Sequence, residues 1–438
     1  MMMKHAGAFA PQASGMTFGG LGIAPGLLDM LEKIRYTTPT PIQYQAIPAA
    51  IEGKDVVGIA QTGTGKTLAF GIPMIQLLVQ SKGQGLVLVP TRELALQVDG
   101  ELHKIGRSFG LRTAVLIGGL ALGPQIAAIR RTPHIIIATP GRLIDHLQQK
   151  TMHLESVRVL VMDEADRMLD MGFLPQIKRI LQAVPKDRQT MLFSATLPPE
   201  IMSVASAYMK LPIRIEVAPP GTTVDQISQE IFIVRKDEKE RLLEKVLGEH
   251  KDSALVFTRT KHGARRIMRA VRAMGHSASE LHSNRSLNQR REALDGFKSG
   301  KYRVLVATDI AARGIDVHGI GVVVNYDLPS QADDYVHRIG RTARAGAAGH
   351  AVSFAMPDEE RGVRAIERLI RKNLQISKLP ELPPARIRPG PDFRVQTPGV
   401  PAKRERPASA MRGESRRPFG LHRRDHQRSR GPYRSGRF

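Results

Sequence analysis

Cysteine is absent from the 438 residues of this chain. Its absence excludes a disulfide scaffold, a cysteine nucleophile and any zinc or iron–sulfur site that needs thiolate ligands. No stretch approaches the roughly eighteen consecutive apolar residues of a membrane-spanning helix. The initial segment, MMMKHAGAFAPQASGM, has one lysine and lacks the apolar run of a secretory signal. We therefore expect a cytoplasmic protein with no membrane partner.

Acidic residues are scarce relative to basic ones, and the imbalance is strongest near the C-terminus. The chain has 65 Lys and Arg against 41 Asp and Glu, a formal charge of +24. Residues 381–438 hold 15 of these basic residues, 5 of the acidic ones and nine prolines. Such a segment buries too little apolar surface to offset its ordering entropy, so we predict a disordered tail. Its arginines alternate with Gly, Ser and aromatic residues, which suits RNA binding, although a merely solubilising tail is the alternative.

Twelve short apolar runs recur through the rest of the chain, separated by helical patterns or turns. Runs that are apolar on both faces predict parallel strands covered by helices. They begin at Asp55, Gly85, Thr113, His134, Val157 and Gln189 in the first half, and at Gln229, Ser253, Ser277, Tyr302, Gly321 and His350 in the second.

A break near Pro219 and Pro220 interrupts both patterns, so we predict two successive doubly wound α/β domains. The predicted parts are a flexible N-terminus, a first domain, a linker, a second domain and the basic tail, over residues 1–15, 16–217, 218–226, 227–380 and 381–438.

A glycine-containing segment follows the first run and precedes an apolar helical pattern. It reads Ala60-Gln61-Thr62-Gly63-Thr64-Gly65-Lys66-Thr67. Backbone N–H groups of such a loop at a helix start wrap phosphates. Lys66 would reach the β- and γ-phosphates of a nucleotide, and the Thr67 hydroxyl would bind Mg²⁺. An accidental Gly-Lys-Thr turn is the alternative, and Ala60 stands where the general pattern has glycine.

An acidic segment, Asp163-Glu164-Ala165-Asp166, closes the fifth run. At the end of a buried strand, Asp163 would hold Mg²⁺, partly through water, and Glu164 would orient or deprotonate the attacking water. An acidic surface cluster is the alternative reading of these four residues alone. Combined with the loop at 60–67, they indicate hydrolysis of ATP or GTP.

The string Asp-Glu-Ala-Asp and its companion motifs resemble the DEAD-box RNA helicases of superfamily 2, over roughly residues 16–380. The segment DEADRMLDMGF, the short N-terminus and the basic tail resemble the bacterial RhlE-type group most. The resemblance implies an α/β fold of two tandem RecA-like domains, with ATP and Mg²⁺ as cofactors. It also implies RNA-stimulated ATP hydrolysis coupled to local, non-processive unwinding of short RNA duplexes and to remodelling of RNA–protein complexes. The implied partners are single-stranded and short duplex RNA, with ribosomal precursors or RNA-decay proteins as candidates.

Nucleotide contacts follow from the same resemblance. Phe18 and the run from Tyr36 to Gln43 resemble the family's Q motif, in which the glutamine pairs with the adenine edge and an aromatic side chain contacts the base. A glutamine amide both donates to adenine N7 and accepts from its N6 amino group, so ATP should be preferred over GTP. Arg35 stands where the family usually has glycine. Asp309 is assigned to the ATP ribose.

Coupling residues are assigned in both halves. Ser194-Ala195-Thr196 resembles the segment that links hydrolysis to strand separation. Arg338, Arg341 and Arg344 recur every three residues and would share one face of a helix. The resemblance makes Arg341 and Arg344 arginine fingers for the γ-phosphate bound on the other half, and makes His337 a coupling residue. A solvated basic face is the alternative.

Short hydroxyls, glycines and arginines follow several of the apolar runs. Such groups suit phosphates and sugars rather than base edges, which predicts little sequence preference in the core. The resemblance assigns RNA contacts to Pro90, Thr91, Arg92, Gly119, Thr139, Gly141, Arg142, Arg259 and Thr308. One departure stands out: Leu287 replaces the glutamine of the family's Gln-x-x-Arg motif, whose arginine is Arg290.

Two other functions stay open at this point. One is a superfamily 2 DNA translocase, against which the Q motif argues. The other is an RNA-binding clamp with a vestigial ATPase, against which the intact Lys66, Asp163, Glu164, Arg341 and Arg344 argue.

Overall fold

The computed structural model of this chain describes residues 16–61, 63–217, 227–312, 320–342 and 349–384. These residues form two parallel sheets covered by helices, which confirms the predicted pair of doubly wound domains. We call the first sheet and its helices lobe 1 (described residues up to 217), and the second sheet and its helices lobe 2 (described residues from 227). The predicted N-terminal segment 1–15, the linker 218–226 and tail residues 385–438 lie outside the described residues.

Lobe 1 alternates strands and helices along the chain. Its strands are β1 (Val56–Ile59), β2 (Gln84–Leu88), β3 (Thr113–Leu116), β4 (Ile135–Ala138), β5 (Val157–Met162), β6 (Gln189–Ser194) and β7 (Ile213–Glu216). Its helices are α1 (Pro25–Lys33), α2 (Pro41–Ile51), α3 (Lys66–Gln80), α4 (Arg92–Gly106), α5 (Leu122–Arg130), α6 (Pro140–Gln148), α7 (Ala165–Asp170), α8 (Leu174–Ala183) and α9 (Pro199–Tyr208). All strand pairs are parallel, in the order β3-β4-β2-β5-β6-β1-β7.

Lobe 2 repeats this architecture. Its strands are β8 (Ile227–Ile233), β9 (Ala254–Phe257), β10 (Ala278–Leu281), β11 (Val304–Ala307), β12 (Val322–Asn325), β13 (Gly349–Ala355) and β14 (Gln375–Ser377). Its helices are α10 (Lys239–Glu249), α11 (Lys261–Ala273), α12 (Leu287–Lys298), α13 (Asp309–Ala312), α14 (Ala332–Ile339) and α15 (Glu360–Ile370). The strand order is β10-β11-β9-β12-β13-β8-β14, again with parallel pairs.

Helix α11 shows how the sequence specifies these layers. Ala264, Ile267, Met268 and Val271 are buried, at the three- and four-residue spacing of one helix face. These side chains belong to the core cluster that includes strands β9, β11 and β12. The intervening Lys and Arg residues face outward, so burial of one apolar face holds the helix on the sheet.

The order of the central strands places the predicted motifs together. Strand β6 lies between β1 and β5, and Ile59 at the end of β1 pairs with Ser194 at the end of β6. The segments that follow these three strands therefore emerge at one edge of the sheet, where open parallel sheets bind ligands.

All twelve predicted strands form, and two further strands were missed. Strand β7 has mixed burial and β14 has only three residues, mostly exposed, and both lie at sheet edges. Edge strands need no continuous apolar run, so the sequence pattern did not reveal them. Conversely, the polar run from Ser277 forms β10, whose four residues are all buried.

Lobe 2 extends slightly beyond residue 380, where the tail was predicted to begin. Arg241 donates hydrogen bonds to the carbonyls of Pro383 and Leu382, at 2.5 and 3.3 Å. Leu382 also packs against the lobe 2 core. Leu382 and Pro383, within the predicted tail, thus contact lobe 2.

Candidate active site

The loop between β1 and α3 carries the predicted phosphate-binding residues. Lys66 begins α3, and its buried Nζ donates a 2.8 Å hydrogen bond to the Ala60 carbonyl. Gly65 has a φ of +87°, and a Cβ there would lie 2.3 Å from Gln43 Nε2, so this position requires glycine. Thr64 Oγ1 donates to the Gln61 carbonyl at 2.7 Å. Thr62 lies outside the described residues.

A cavity of about 620 Å³ opens beside this loop. Its lining brings together residues of the predicted Q motif, phosphate loop and acidic segment, namely Phe18, Tyr36, Gln43, Gly63, Gly65, Lys66, Thr67, Asp163 and Glu164. A volume of this size is within the range of roughly 300–1,000 Å³ typical of small-molecule sites. The structure therefore gathers at one cavity many of the residues predicted to bind a nucleotide, although Ala60, Gln61, Thr64 and Asp309 do not line it.

Gln43 and the two aromatic residues are held by contacts within lobe 1. The Gln43 side chain accepts the N–H of Thr40 and donates to the Gly65 carbonyl, both at 2.9 Å. Tyr36 donates its hydroxyl to Glu101 at 3.0 Å, and Phe18 is part of the lobe 1 core. Gln43 thus contacts the phosphate loop directly, and its pairing with adenine stays a prediction.

Asp163 follows the last residue of β5 and is almost fully buried. Its Oδ1 accepts the N–H of Glu164 at 2.9 Å. Burial raises the pKa of Asp163 to about 6; the charge of Lys66 opposes this rise, and the neighbouring carboxylate of Glu164 adds to it. Excess negative charge in a buried place favours a bound cation.

Glu164 has a left-handed backbone, with φ +51°, and a buried carboxylate. Arg167, one turn along α7, donates to its Oε2 at 2.7 Å, and both side chains are less than one tenth exposed. Burial alone would raise the pKa of Glu164. The charges of Arg167 and Lys66, the Arg167 hydrogen bond and the charge of Arg341 outweigh it, so this pKa lies below its usual value.

Asp166 joins the acidic segment to the segment after β6. Its Oδ2 accepts from the backbone N–H groups of Ala195 and Thr196 and from the Thr196 hydroxyl, at 3.0, 2.8 and 3.1 Å. Its own N–H donates to Ser194 Oγ at 3.1 Å. Burial opposes ionisation, but the charges of His337 and Lys66 and the backbone hydrogen bonds hold the pKa of Asp166 below its usual range.

Lobe 2 contributes His337 and Arg341 to the same place. With Lys66, Glu164 and Asp166 they line a cavity of only about 10 Å³. Arg341 is buried and lies just beyond α14, which ends at Ile339. Arg344, the second predicted finger, lies outside the described residues. The structure thus brings one of the two predicted fingers against the lobe 1 acids.

Asp309 forms an ion pair within lobe 2. Both of its carboxylate oxygens accept from Arg338, at 2.5 and 2.7 Å. Arg338 is fully buried, also donates to Asn325 and the Asp327 carbonyl, and packs over the Phe257 ring. The ribose contact of Asp309 stays a prediction. Arg338 links Asp309, Asn325 and Asp327 within lobe 2.

The predicted RNA residues of lobe 1 lie at the carboxyl ends of β2, β3 and β4. Thr91 caps α4 by accepting the Leu94 N–H at 3.3 Å, and Pro90 and Thr139 are buried. Arg92 lies over Gly119, where a Cβ would meet its Nη1 at 2.2 Å.

The arginine of the neighbouring segment, Arg142, donates to the Leu120 carbonyl at 2.9 Å and has a weaker contact with Asp145. Gly141 lies beside it in the first turn of α6. These segments meet in space, but Arg142 is partly engaged by protein.

The predicted RNA residues of lobe 2 are Arg259 and Thr308. Arg259 follows β9; its guanidinium is half exposed, pairs with Glu359 at 2.7 Å and donates to the Leu328 carbonyl. Thr308 follows β11 and is partly exposed. Both lie at the carboxyl ends of their strands, as predicted.

A buried ion pair between the lobes was missed by the sequence reasoning. Arg290 of α12 donates to Glu93 of α4 at 2.9 Å, with side chains 10% and 7% exposed. Leu287, the departure noted above, packs against the core cluster of lobe 1. Arg290 was recognised only as part of a motif, and no signal in the sequence identified Glu93 as its partner.

Within the part of the chain that the structure describes, no three Asp, Glu or His side chains are grouped so as to enclose a metal ion. None of the helices in that part is both long and apolar enough to cross a membrane.

Comparison with known families agrees with this geometry. A DEAD/DEAH box helicase model matches residues 40–204, and a helicase conserved C-terminal domain model matches residues 238–346. The first range contains the phosphate loop and the acidic segment, and the second contains His337 and Arg341.

Individual relatives extend the match over both lobes. The chain is 42% identical over 369 residues to the DEAD-box ATP-dependent RNA helicase CshA of Bacillus cereus, covering 84% of this chain and 70% of the relative. It is 43% identical over 362 residues to the ATP-dependent rRNA helicase RRP3 of Candida albicans, covering 82% and 68%. The solved structure of S. cerevisiae Dbp5 bound to RNA and ADP BeF3 matches with a TM-score of 0.73 at 30% identity, over 83% of this chain and 95% of that one. The two lobes are RecA-like domains, and the chain belongs to the DEAD-box family of ATP-dependent RNA helicases.

Proposed function

We propose that this helicase hydrolyses ATP at a site built jointly by its two lobes and uses the cycle to separate short RNA duplexes locally. The observation that carries the proposal is the shared cavity, where Arg341 of lobe 2 meets Lys66 and Glu164 of lobe 1. Because lobe 1 alone lacks a cation at the position of Arg341, hydrolysis would depend on the lobes closing.

Within lobe 1, Lys66 would bind the β- and γ-phosphates after releasing the Ala60 carbonyl. Asp163 and Thr67 supply the oxygen donors that Mg²⁺ prefers, and burial, which raises the pKa of Asp163 to about 6, makes its ionised form favour a bound cation. These residues fit the ion, which would neutralise phosphate charge and help to align the phosphates.

The pKa of Glu164 bears on its role toward water. A general base works best with a pKa near the operating pH, whereas the pKa of Glu164 lies below its usual value. An ionised Glu164 is a strong hydrogen-bond acceptor at neutral pH. We therefore assign it mainly to orienting the attacking water, with Arg341 neutralising the charge that develops on the γ-phosphate.

Asp166 would carry the nucleotide state to the rest of lobe 1. It is bonded to Ser194, Ala195 and Thr196, and the charge of His337 from lobe 2 lowers its pKa. When lobe 2 withdraws, Asp166 loses that charge, so the hydrogen bonds of the segment after β6 would weaken together with the closed state.

Closure and RNA binding would be coupled. The cavity of about 10 Å³ between Lys66, Glu164 and Arg341 has no room for a phosphate, so lobe 2 would shift slightly when the γ-phosphate binds there. RNA contacts on both lobes, including Arg92, Gly119 and Arg259, would favour the closed arrangement that also holds ATP, which makes the two ligands bind with positive, reciprocal cooperativity. A closed cleft that fits only one strand would expel the other over a few base pairs.

The finer assignments rest on the sequence. We propose membership of the RhlE-type group from DEADRMLDMGF and the basic tail, a cytoplasmic location, and RNA binding by residues 385–438, which carry 15 Lys and Arg. The similarity to an rRNA helicase supports ribosomal precursors as substrates, with RNA-decay proteins as alternative partners.

Replacement of Glu164 by Gln tests the catalytic assignment. The side chain keeps its shape and loses its charge, so we expect turnover at saturating ATP and RNA to fall at least about 100-fold. The Kd values for ATP and for single-stranded RNA should change much less. Glu155→Gln is the matched control, because Glu155 is 83% exposed in the same lobe. Equal turnover in E164Q and E155Q would contradict the proposal.

A further inference from the structure

A buried polar network in lobe 1 joins two of the segments proposed to bind RNA. It consists of Gln125 on α5, His146 on α6 and Thr151 just after α6. Gln125 is 5% exposed and His146 is completely buried. None of the three was singled out by the sequence or by the function proposed above.

Gln125 binds the backbone at both ends of the turn that contains Gly118 and Gly119. Its Oε1 accepts the N–H of Ile117, and its Nε2 donates to the carbonyls of Ile117 and Ala121, all at 3.2 Å. Strand β3 lies at the edge of the sheet, so the outward N–H and C=O of Ile117 have no neighbouring strand to bond. The Gln125 amide takes the place of that strand and fixes where the turn begins.

His146 holds Gln125 in this orientation. The three backbone hydrogen bonds determine which amide atom is oxygen, so Oε1 faces His146 Nε2 at 3.4 Å, near the upper limit for a hydrogen bond. Nε2 must therefore carry the proton and donate. The neutral ring then leaves Nδ1 as an acceptor 2.8 Å from the Thr151 hydroxyl, whose one proton is shared between Nδ1 and the His146 carbonyl, 3.1 Å away. Each polar atom of the imidazole thus has one partner.

The same helix presents the second segment. Helix α6 begins directly after Thr139 and carries Gly141 and Arg142 in its first turn. Arg142 reaches across to the Leu120 carbonyl, inside the turn that Gln125 holds. The turn and α6 are therefore connected twice, by Arg142 in the first turn of the helix and by the pair Gln125–His146 near its end.

We propose that Gln125 and His146 are positioning residues for RNA: they hold the Gly118–Gly119 turn and the start of α6 in the relative placement that receives a phosphate backbone. The inference deepens the proposed function and rests on its assignment of RNA contacts to these two segments. Since the network lies at β3 and β4, away from the phosphate loop at β1, it should affect RNA binding without affecting ATP binding.

The test uses the full chain with Gln125→Met, His146→Phe and His146→Gln. We measure the Kd for a fluorescent single-stranded RNA oligonucleotide, the KM for ATP and the turnover of ATP at saturating RNA. Q125M should weaken RNA binding about tenfold and H146F about threefold, with the KM for ATP and the saturated turnover within about twofold of wild type. H146Q keeps a donor near Nε2 and should recover most of the loss.

Gln189→Met is the matched control. Gln189 is also buried in lobe 1, and its amide donates to the Ala50 and Lys54 carbonyls at 2.7 and 2.8 Å, at the amino end of the central strand β6. Q189M should lower thermal stability as much as Q125M while leaving the RNA Kd unchanged. If Q125M fails to fold, Thr151→Val replaces it, with an expected twofold to threefold loss of RNA affinity and faster hydrogen exchange in residues 117–121.

Arg92→Gln distinguishes a failure of the proposed RNA contacts from a failure of the proposed positioning role. If R92Q leaves the RNA Kd unchanged, RNA does not use this surface and the proposed contacts are wrong. If R92Q weakens RNA binding but Q125M and H146F do not, or if they weaken ATP and RNA binding equally, the positioning role is overturned and the contacts stand.

Discussion

Asp163 and Asp166 lie three residues apart, and their replacement by Asn should change stability in opposite directions. The pKa of Asp163 is about 6 compared with 3.8 for an ordinary Asp, which corresponds to about 3 kcal/mol at neutral pH because each pKa unit is worth about 1.4 kcal/mol. An acid whose pKa is raised by folding destabilises the folded state as the pH rises, since the unfolded carboxyl loses its proton first. The cost builds up between about pH 4 and 6 and is constant above.

Asp163→Asn removes this cost and keeps the acceptor for the Glu164 N–H. We expect the Tm of lobe 1 at pH 7.5 to rise by roughly 6–12 °C, at about 2–4 °C per kcal/mol for a unit of this size. ATPase activity should be lost, because the proposed Mg²⁺ ligand loses its charge. At pH 5 about half of the gain in stability should remain.

Asp166→Asn is the counterpart. The pKa of Asp166 is lowered, so its carboxylate contributes stability above the ordinary pKa that is lost as the pH falls. In Asp166→Asn the side-chain NH₂ group would also face the backbone N–H donors of Ala195 and Thr196. We therefore expect the free energy of unfolding to fall by about 1–3 kcal/mol at pH 7.5.

Differential scanning calorimetry is the suitable assay, because it can resolve separate transitions of the two lobes. A lower Tm for D163N at pH 7.5, or a gain that is as large at pH 5 as at pH 7.5, would refute the reasoning.

Three further predictions concern binding. Arg290→Met and Glu93→Gln each leave a buried charge without its partner between the lobes, so each should raise the RNA concentration that half-saturates the ATPase. The effect of the double variant should be smaller than the sum of the two single effects. Strictly additive effects would show that the pair is not coupled. In Gln43→Glu the side chain cannot donate to the Gly65 carbonyl or to adenine. The KM for ATP should therefore rise about tenfold or more, with less discrimination against GTP. An unchanged ratio of the KM for GTP to the KM for ATP would exclude an adenine contact. Truncation after Pro384 keeps the Arg241 contacts and removes the basic residues of 385–438. The slope of log Kd for RNA against log salt concentration should therefore become shallower. Equal slopes for the truncated and full-length chains would exclude a binding role for residues 385–438.

The sheet architecture was predictable because its signal is local. Runs such as those at Val157 and Gln189 are apolar on both faces, and a buried parallel strand requires that pattern wherever its neighbours are. The exceptions have the same explanation. Strands β7 and β14 lie at the edges, where burial is partial, and β10 is buried despite containing Ser279 and Glu280, which only its tertiary surroundings allow.

The candidate site was predictable where the functional groups lie close together within one sequence motif. The phosphate loop from Ala60 to Thr67 and the acidic segment from Asp163 to Asp166 carry their functional groups within a few residues. Their placement at one edge also followed from the rule that parallel strands present their carboxyl ends together.

Partners between distant segments could not be predicted in this way. Gln43 bonds to Gly65 and Asp309 to Arg338, and each pair is separated by about twenty to thirty residues. Which side chains meet depends on the order of strands across the sheet, which the apolar pattern does not encode.

The sequence by itself thus determined twelve of the fourteen strands that the described residues form, the covering helices and the identity of the chemical groups, because burial and loop chemistry act over a few neighbouring residues. The tertiary structure alone decided that Glu93 meets Arg290, that His146 orients Gln125 and that Arg341 approaches Glu164. Those contacts arise because β-sheet order and closure of the lobes bring together residues that are remote along the chain.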